Sequence, residues 1–144
     1  MIAQAYAAGE AEGHALVLSE ALSFWGGIDV DSGRIIDHSH PDLGTVITGS
    51  VLVMPGGRGS SSSSSVLAES IRRGTGPVAI VLSIPDPILT VGALVAQALY
   101  GMRCPIVVCP IADMRTGMRL RIRAGDTGAA EVDLIDSGIG SAES

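Results

Sequence analysis

The segment from Ser50 to Gly74 constrains this chain more than any other. Ser50-Val51-Leu52-Val53-Met54 is a short apolar run with strand chemistry. Val66-Leu67-Ala68-Glu69-Ser70-Ile71-Arg72-Arg73 reads as helix and stops at Gly74. Between them lie Pro55-Gly56-Gly57-Arg58-Gly59 and six consecutive serines, Ser60 to Ser65. A strand, a glycine-rich turn and a helix that starts in hydroxyl residues turn backbone N–H groups toward a common ligand. The serine run is therefore predicted to be a site rather than a linker.

The alternation continues downstream. A strand is predicted over 78–82 and a helix over 88–100, opened by Pro85-Asp86-Pro87 and ended by Gly101; a strand over 105–109 follows. The helix is apolar nearly all round, which predicts burial on most sides. Strand-like segments flank this βαβαβ middle: His14 to Leu22, Arg34 to Asp37, Met118 to Arg123 and Glu131 to Ile135. Residues 1–12, alanine-rich and acidic, and the polar tail 137–144 are expected to be flexible. The 144 residues fit one domain with a real core. With hydrophobic residues at 47% and aromatics at 3%, that core is built from Val, Ile, Leu and Ala.

Composition removes several function classes. A net charge of −6 argues against a nucleic-acid surface. All nine basic residues are arginine, so Schiff-base and P-loop lysine chemistry is absent. Gly74 to Met102 carries only Asp86 as a charge, but Pro77, Pro85 and Pro87 cut it into pieces too short for a membrane span. No signal peptide is expected, because a basic segment followed by an apolar run is missing at the start. Arg115, Arg119, Arg121 and Arg123 form a basic cluster whose spacing suits a solvated strand face. Cys104 and Cys109 flank an apolar strand at an offset that points them to opposite faces. They are read as buried reduced thiols in a reducing cytoplasm rather than as metal ligands or a disulfide.

Several residues have chemistry to offer. Gly56, Gly57 and Gly59 permit close backbone approach, and one of the serines is expected to cap the helix. Ser60 follows Arg58 and Gly59 at a helix N-terminus, a field that stabilises its alkoxide as a nucleophile or as a general base. A Ser-His-Asp hydrolase using His14, His38 or His40 is the rival reading, although the GxSxG elbow is missing. His38 and His40 beside Asp37 and Asp42 suggest a metal site or, more simply, surface or interface histidines. Asp86 is read as a helix cap, and Trp25 beside Gly26 and Gly27 as packing in the core, a pocket or a partner.

Taken together, Leu22-Ser23-Phe24-Trp25-Gly26-Gly27-Ile28-Asp29, Gly33-Arg34-Ile35-Ile36-Asp37, His40-Pro41 and Pro55-Gly56-Gly57-Arg58-Gly59-Ser60-Ser61-Ser62 resemble the small subunit, or swivel domain, of aconitase X. The resemblance runs from about His14 through the strand at 105–109. It implies an α/β fold, a swivelling β/β/α domain with a central βαβαβ segment and flanking β-strands. In that family the small piece closes over a large catalytic piece carrying an iron or iron–sulfur centre on its own cysteines. Because this chain ends after the swivel domain, the split, two-subunit form is expected.

The family dehydrates hydroxy acids. Bacterial members with SFWGG and RGSSSSS segments act on cis-3-hydroxy-L-proline; archaeal members act on mevalonate 5-phosphate and have fewer serines in the loop. The resemblance thus implies a cis-3-hydroxyproline dehydratase small subunit, with the phosphomevalonate enzyme and a non-catalytic swivelling interaction module as alternatives. Ser60 matches the position of the family's catalytic base. Arg58, Gly59, Ser61 and Gly57 are then expected to bind substrate or shape its loop. The metal centre is expected in the large subunit, and none on this chain.

Overall fold

The structure, a computed structural model, describes residues 1–57 and 60–135. Its elements in chain order are β1 (Ile2–Ala7), β2 (Gly9–Val17), α1 (Phe24–Gly27), β3 (Ile28–Asp29), β4 (Arg34–Ile35), β5 (Val51–Met54), α2 (Ser63–Arg73), β6 (Ala79–Leu82), α3 (Pro87–Tyr100), β7 (Ile106–Val108), β8 (Arg119–Ala124) and β9 (Ala129–Leu134). Seven strands close a barrel in the order β1-β7-β6-β5-β2-β8-β9, with β1 also paired to β9, while β3 and β4 form a separate two-stranded sheet.

The apolar runs of β5, β6 and β7 lack alternation because both of their faces are covered. Val51, Val53, Ala79, Val81 and Val107 pack with Leu120, Ile122 and Val132 in one buried cluster, the barrel interior. Small and β-branched side chains suit that narrow lumen. The alternate residues Leu52, Met54, Ile80, Leu82 and Ile106 pack with Leu67 and Ile71 of α2 and with Leu89, Ala93 and Ala96 of α3. Cys104 belongs to this outer cluster and Cys109 to the inner one, so the two free thiols do sit on opposite faces. Burial pushes the Cys104 thiol up to about 12.

Helices α2 and α3 lie against each other on the outer layer. Gly92 makes that contact possible: a Cβ there would sit 2.7 Å from the Ser64 carbonyl oxygen and 3.2 Å from Leu67. Glu69 receives Arg72 and Arg73, whose hydrogen bonds hold its carboxyl down to about 2, and Arg73 also pairs with Asp31. That pair ties the end of α2 to the turn between β3 and β4.

Three expectations need correction. Residues 1–12 contain β1 and the first part of β2, both hydrogen-bonded into the barrel, so the first strand does not begin at His14. Alanine and glycine have weak strand propensity, and long-range pairing overrides it here. Helix α3 is not buried on most sides. Leu89, Gly92, Ala93 and Ala96 face inward, but Val91, Leu94, Val95 and Leu99 are exposed. His40 is buried rather than on the surface, while His38 is exposed. The tail 137–144 lies outside the described residues.

Gly92→Ala is expected to lower stability by about 1–3 kcal/mol, since the helices must part to admit the methyl group. Urea unfolding measures it; an unshifted midpoint would show that the helix contact tolerates a side chain.

Candidate active site

Strand pairing gathers four chain reversals at one end of the barrel. The last residues of β2 run parallel to β5, with Ala15, Leu16 and Val17 opposite Val51, Leu52 and Val53. Strands β5, β6 and β7 are also mutually parallel. The carboxyl ends of β2, β5, β6 and β7 therefore point the same way. The segments that follow them carry Ser23-Phe24-Trp25-Gly26-Gly27, the serine loop, Ser83-Ile84-Pro85-Asp86, and Pro110 to Thr116. This is the end of a parallel α/β array at which ligands bind.

The first two loops are tied together. Leu18 N–H donates to Val53 O at 2.8 Å, and Leu22 forms a parallel bridge with Gly57. Trp25 N–H donates to Ser63 Oγ at 3.1 Å. Phe24 is fully buried and anchors the segment. Trp25 and Gly26 leave helical geometry, Gly26 with φ of +78°, and the indole stays 58% exposed. Of the expected packing sites for Trp25, the core is thus excluded within this chain.

The third loop braces the second. Ser83 Oγ–H and Ile84 N–H both donate to Pro55 O, at 2.7 and 3.2 Å. Asp86 Oδ1 accepts from Ile88 N–H and Leu89 N–H at 2.9 and 3.1 Å, which makes it the N-cap of α3 as expected. Its other oxygen lies against Gly57, where any Cβ would collide with it. Gly57 is therefore a glycine for steric reasons.

The serines divide the work. Ser62, at the N-cap of α2, makes no side-chain cap; instead Ser60 Oγ accepts Ser62 N–H at 3.2 Å. Ser61 is exposed, and its carbonyl takes both the N–H and the hydroxyl of Ser64, at 3.2 and 2.8 Å. Ser63 is buried and holds Trp25. Ser60 is thus exposed at the start of α2 with an amide hydrogen directed at its hydroxyl oxygen. That bond favours the ionised oxygen, as does the positive end of α2, whose first turn carries no acid. A hydroxyl held in this way can accept a proton from a ligand.

Of the histidines a hydrolase triad could draw on, His40 is not free to act as its base. His40 Nδ1 accepts Asp42 N–H at 3.0 Å and Nε2 faces Glu20 O at 3.3 Å, so both nitrogens are committed to backbone. Among the described residues no group of three or more His, Cys, Asp or Glu could hold a metal ion. Arg119 and Arg121 pair with Glu12, and Arg123 with Glu131 and Asp133, which makes the basic cluster a solvated strand face. Arg58 and Gly59 lie outside the described residues. No helix among the described residues is long and apolar enough to cross a membrane.

Sequence reasoning did not single out Ser63 or the contact of Gly57 with Asp86. The signal for the second was slight: one glycine of a glycine-rich turn, in a chain whose Pro-Asp-Pro opens the next helix.

Comparison with known proteins agrees with this layout. The family model described as aconitase X swivel domain matches residues 1–132. Cis-3-hydroxy-L-proline dehydratase of Pseudomonas aeruginosa is 50% identical over 99 residues, covering 69% of this chain and 17% of that protein. Phosphomevalonate dehydratase small subunit of Pyrococcus abyssi is 38% identical over 122 residues, covering 84% and 88%. The chain spans about a fifth of the length of the hydroxyproline dehydratases it matches, 21% and 17%. The crystal structure of Thermococcus kodakaraensis aconitase X in its holo form superposes with a TM-score of 0.79 at 29% identity, over 92% of this chain and 98% of that one.

Ser63→Ala should release the tryptophan segment. Losing one hydrogen bond of about 1 kcal/mol makes the Trp25 amide exchange about fivefold faster, measured by NMR. Unchanged exchange would mean that Ser63 does not hold the two loops together.

Proposed function

The chain belongs to the aconitase X swivel-domain family, and we propose that it is the small subunit of a hydro-lyase converting cis-3-hydroxy-L-proline to Δ1-pyrroline-2-carboxylate. The observation that carries this reading is Ser60, exposed at the carboxyl end of β5 with Ser62 N–H directed at its Oγ. Dehydration next to a carboxylate needs a base for a weakly acidic C–H. The Ser60 alkoxide takes the α-proton, the electron pair forms the C=C bond, and the β-hydroxyl leaves as water once protonated. The resulting enamine shifts a proton to become the cyclic imine.

Arg58, with Gly59, Ser61 and Gly57, is assigned to the substrate carboxylate and to the shape of the loop. The departing hydroxyl needs an electrophile. On this reading it is an iron or iron–sulfur centre held by a cysteine-bearing large subunit, because the described residues of this chain do not fit one. Both cysteines here are buried, and the Cys104 thiol stays protonated at neutral pH. The active site is thus shared between two subunits, and the chain alone is inactive. Two buried free thiols suit the reducing cytoplasm in which this reading places the heterodimer.

A second reading, the small subunit of mevalonate 5-phosphate dehydratase, is supported by a match covering 88% of the Pyrococcus abyssi small subunit. Sequence identity does not separate the two readings, and the unbroken serine run is what favours the first.

The test combines this chain with the aconitase X large subunit of the same organism and assays both substrates. Hydroxyproline turnover is expected from the pair and none from the chain alone. Ser60→Ala should lower kcat by about 10²–10⁴-fold while the complex still forms. Near wild-type rates would remove Ser60 from the mechanism. Turnover of mevalonate 5-phosphate alone would establish the second reading, and a complex that dehydrates neither would make the chain a non-catalytic swivelling module.

A further inference from the structure

Helices α2 and α3 share one layer, yet their outer faces differ in kind. The exposed positions of α2 are Ser65, Arg72 and Arg73. Those of α3 include Val91, Leu94, Val95 and Leu99, at spacings of three, four and eight residues that put them in one stripe. Leu99 is 67% exposed. Ile84 just before the helix, 61% exposed, continues the apolar surface toward the serine loop. From Val91 to Leu99 the stripe runs for about 12 Å along the axis of α3. Its opposite face is already packed on α2 and the sheet.

We propose that this stripe is the docking surface for the large subunit, an inference that rests on the function proposed above. Three observations choose that occupant. The stripe starts at the site: Ile84 donates its N–H to Pro55 O, and its side chain lies 3.0 Å from where a Cβ on Gly56 would be. The Asp86 cap of α3 lies against Gly57. A body that covers the serine loop to complete the site therefore reaches the first turn of α3.

Chain length points the same way. In the matched hydroxyproline dehydratases the region like this chain is 21% and 17% of the polypeptide, so a much larger body is tethered to it. Charge excludes other classes of partner. From Gly74 to Met102 the chain carries a single charge, Asp86, within a protein of net charge −6 that has no lysine. Nucleic acid and anionic lipid surfaces both require basic residues at the contact. An uncharged apolar stripe requires an apolar protein surface.

The test is titration calorimetry of this chain against the aconitase X large subunit of the same organism, with dehydration assayed in parallel. Leu94→Glu/Leu99→Glu is expected to weaken binding at least about a hundredfold, with circular dichroism and the urea midpoint unchanged because both side chains are exposed. Leu94→Met/Leu99→Met should bind as wild type, and so should Arg72→Gln on the outer face of α2. An unchanged Kd for the glutamate variant overturns the inference while leaving the dehydratase reading intact. A wild-type dimer of this chain that the glutamate variant dissolves, with large-subunit affinity unchanged, also overturns it in favour of a second copy. Stripe-dependent binding without turnover of either substrate supports the docking surface and removes the proposed reaction. No binding by the wild-type chain removes both.

Discussion

The parallel pairing of three residues, Ala15 to Val17, with Val51 to Val53 is the constraint on which the rest depends. The first six residues of β2 pair antiparallel with β8, and only its end turns to β5. That change of partner closes the barrel on one side and delivers Leu18 to Trp25 beside the serine loop on the other. Without it the tryptophan segment would have no route to α2. With it, the Leu22–Gly57 bridge and the Trp25–Ser63 hydrogen bond follow as local consequences.

The serine run then reads as a set of different tasks performed by one small residue type. Ser63 is buried and holds a backbone amide, Ser64 satisfies the carbonyl of Ser61, and Ser60 collects the amide of Ser62. The Ser64 backbone also packs directly on α3, at Gly92, where a side chain on the facing helix would not fit. Across the loop, Gly57 makes room for the Asp86 carboxylate, which neutralises the start of α3. The start of α2 has no such acid, so the positive end that remains is the one beside Ser60.

Much of this was legible in the chain. The βαβαβ middle, the Asp86 cap, the opposed cysteines and the solvated arginine face all follow from local pattern, because local hydrogen bonds and two-residue alternation decide them. What was not legible depends on partners far away in sequence. Residues 1–12 look poorly suited to a strand, yet β1 is fixed between β7 and β9, about a hundred residues or more away. The burial of His40 depends on Glu20, and the choice of Ser63 to hold Trp25 depends on the β2–β5 register. Helix α3 shows a different limit. An apolar sequence says that a face will be covered, but not whether the same chain covers it.

The measurement that tests the central claim most directly follows the proton assigned to Ser60. Cis-3-hydroxy-L-proline deuterated at the α-carbon is supplied to the assembled two-subunit enzyme, and deuterium in the solvent is followed by NMR together with product. With the wild-type chain, deuterium should reach the solvent in step with product; with Ser60→Ala, both should vanish although substrate still binds. Deuterium release that continues undiminished in Ser60→Ala would contradict the account, because some other group would then be the base.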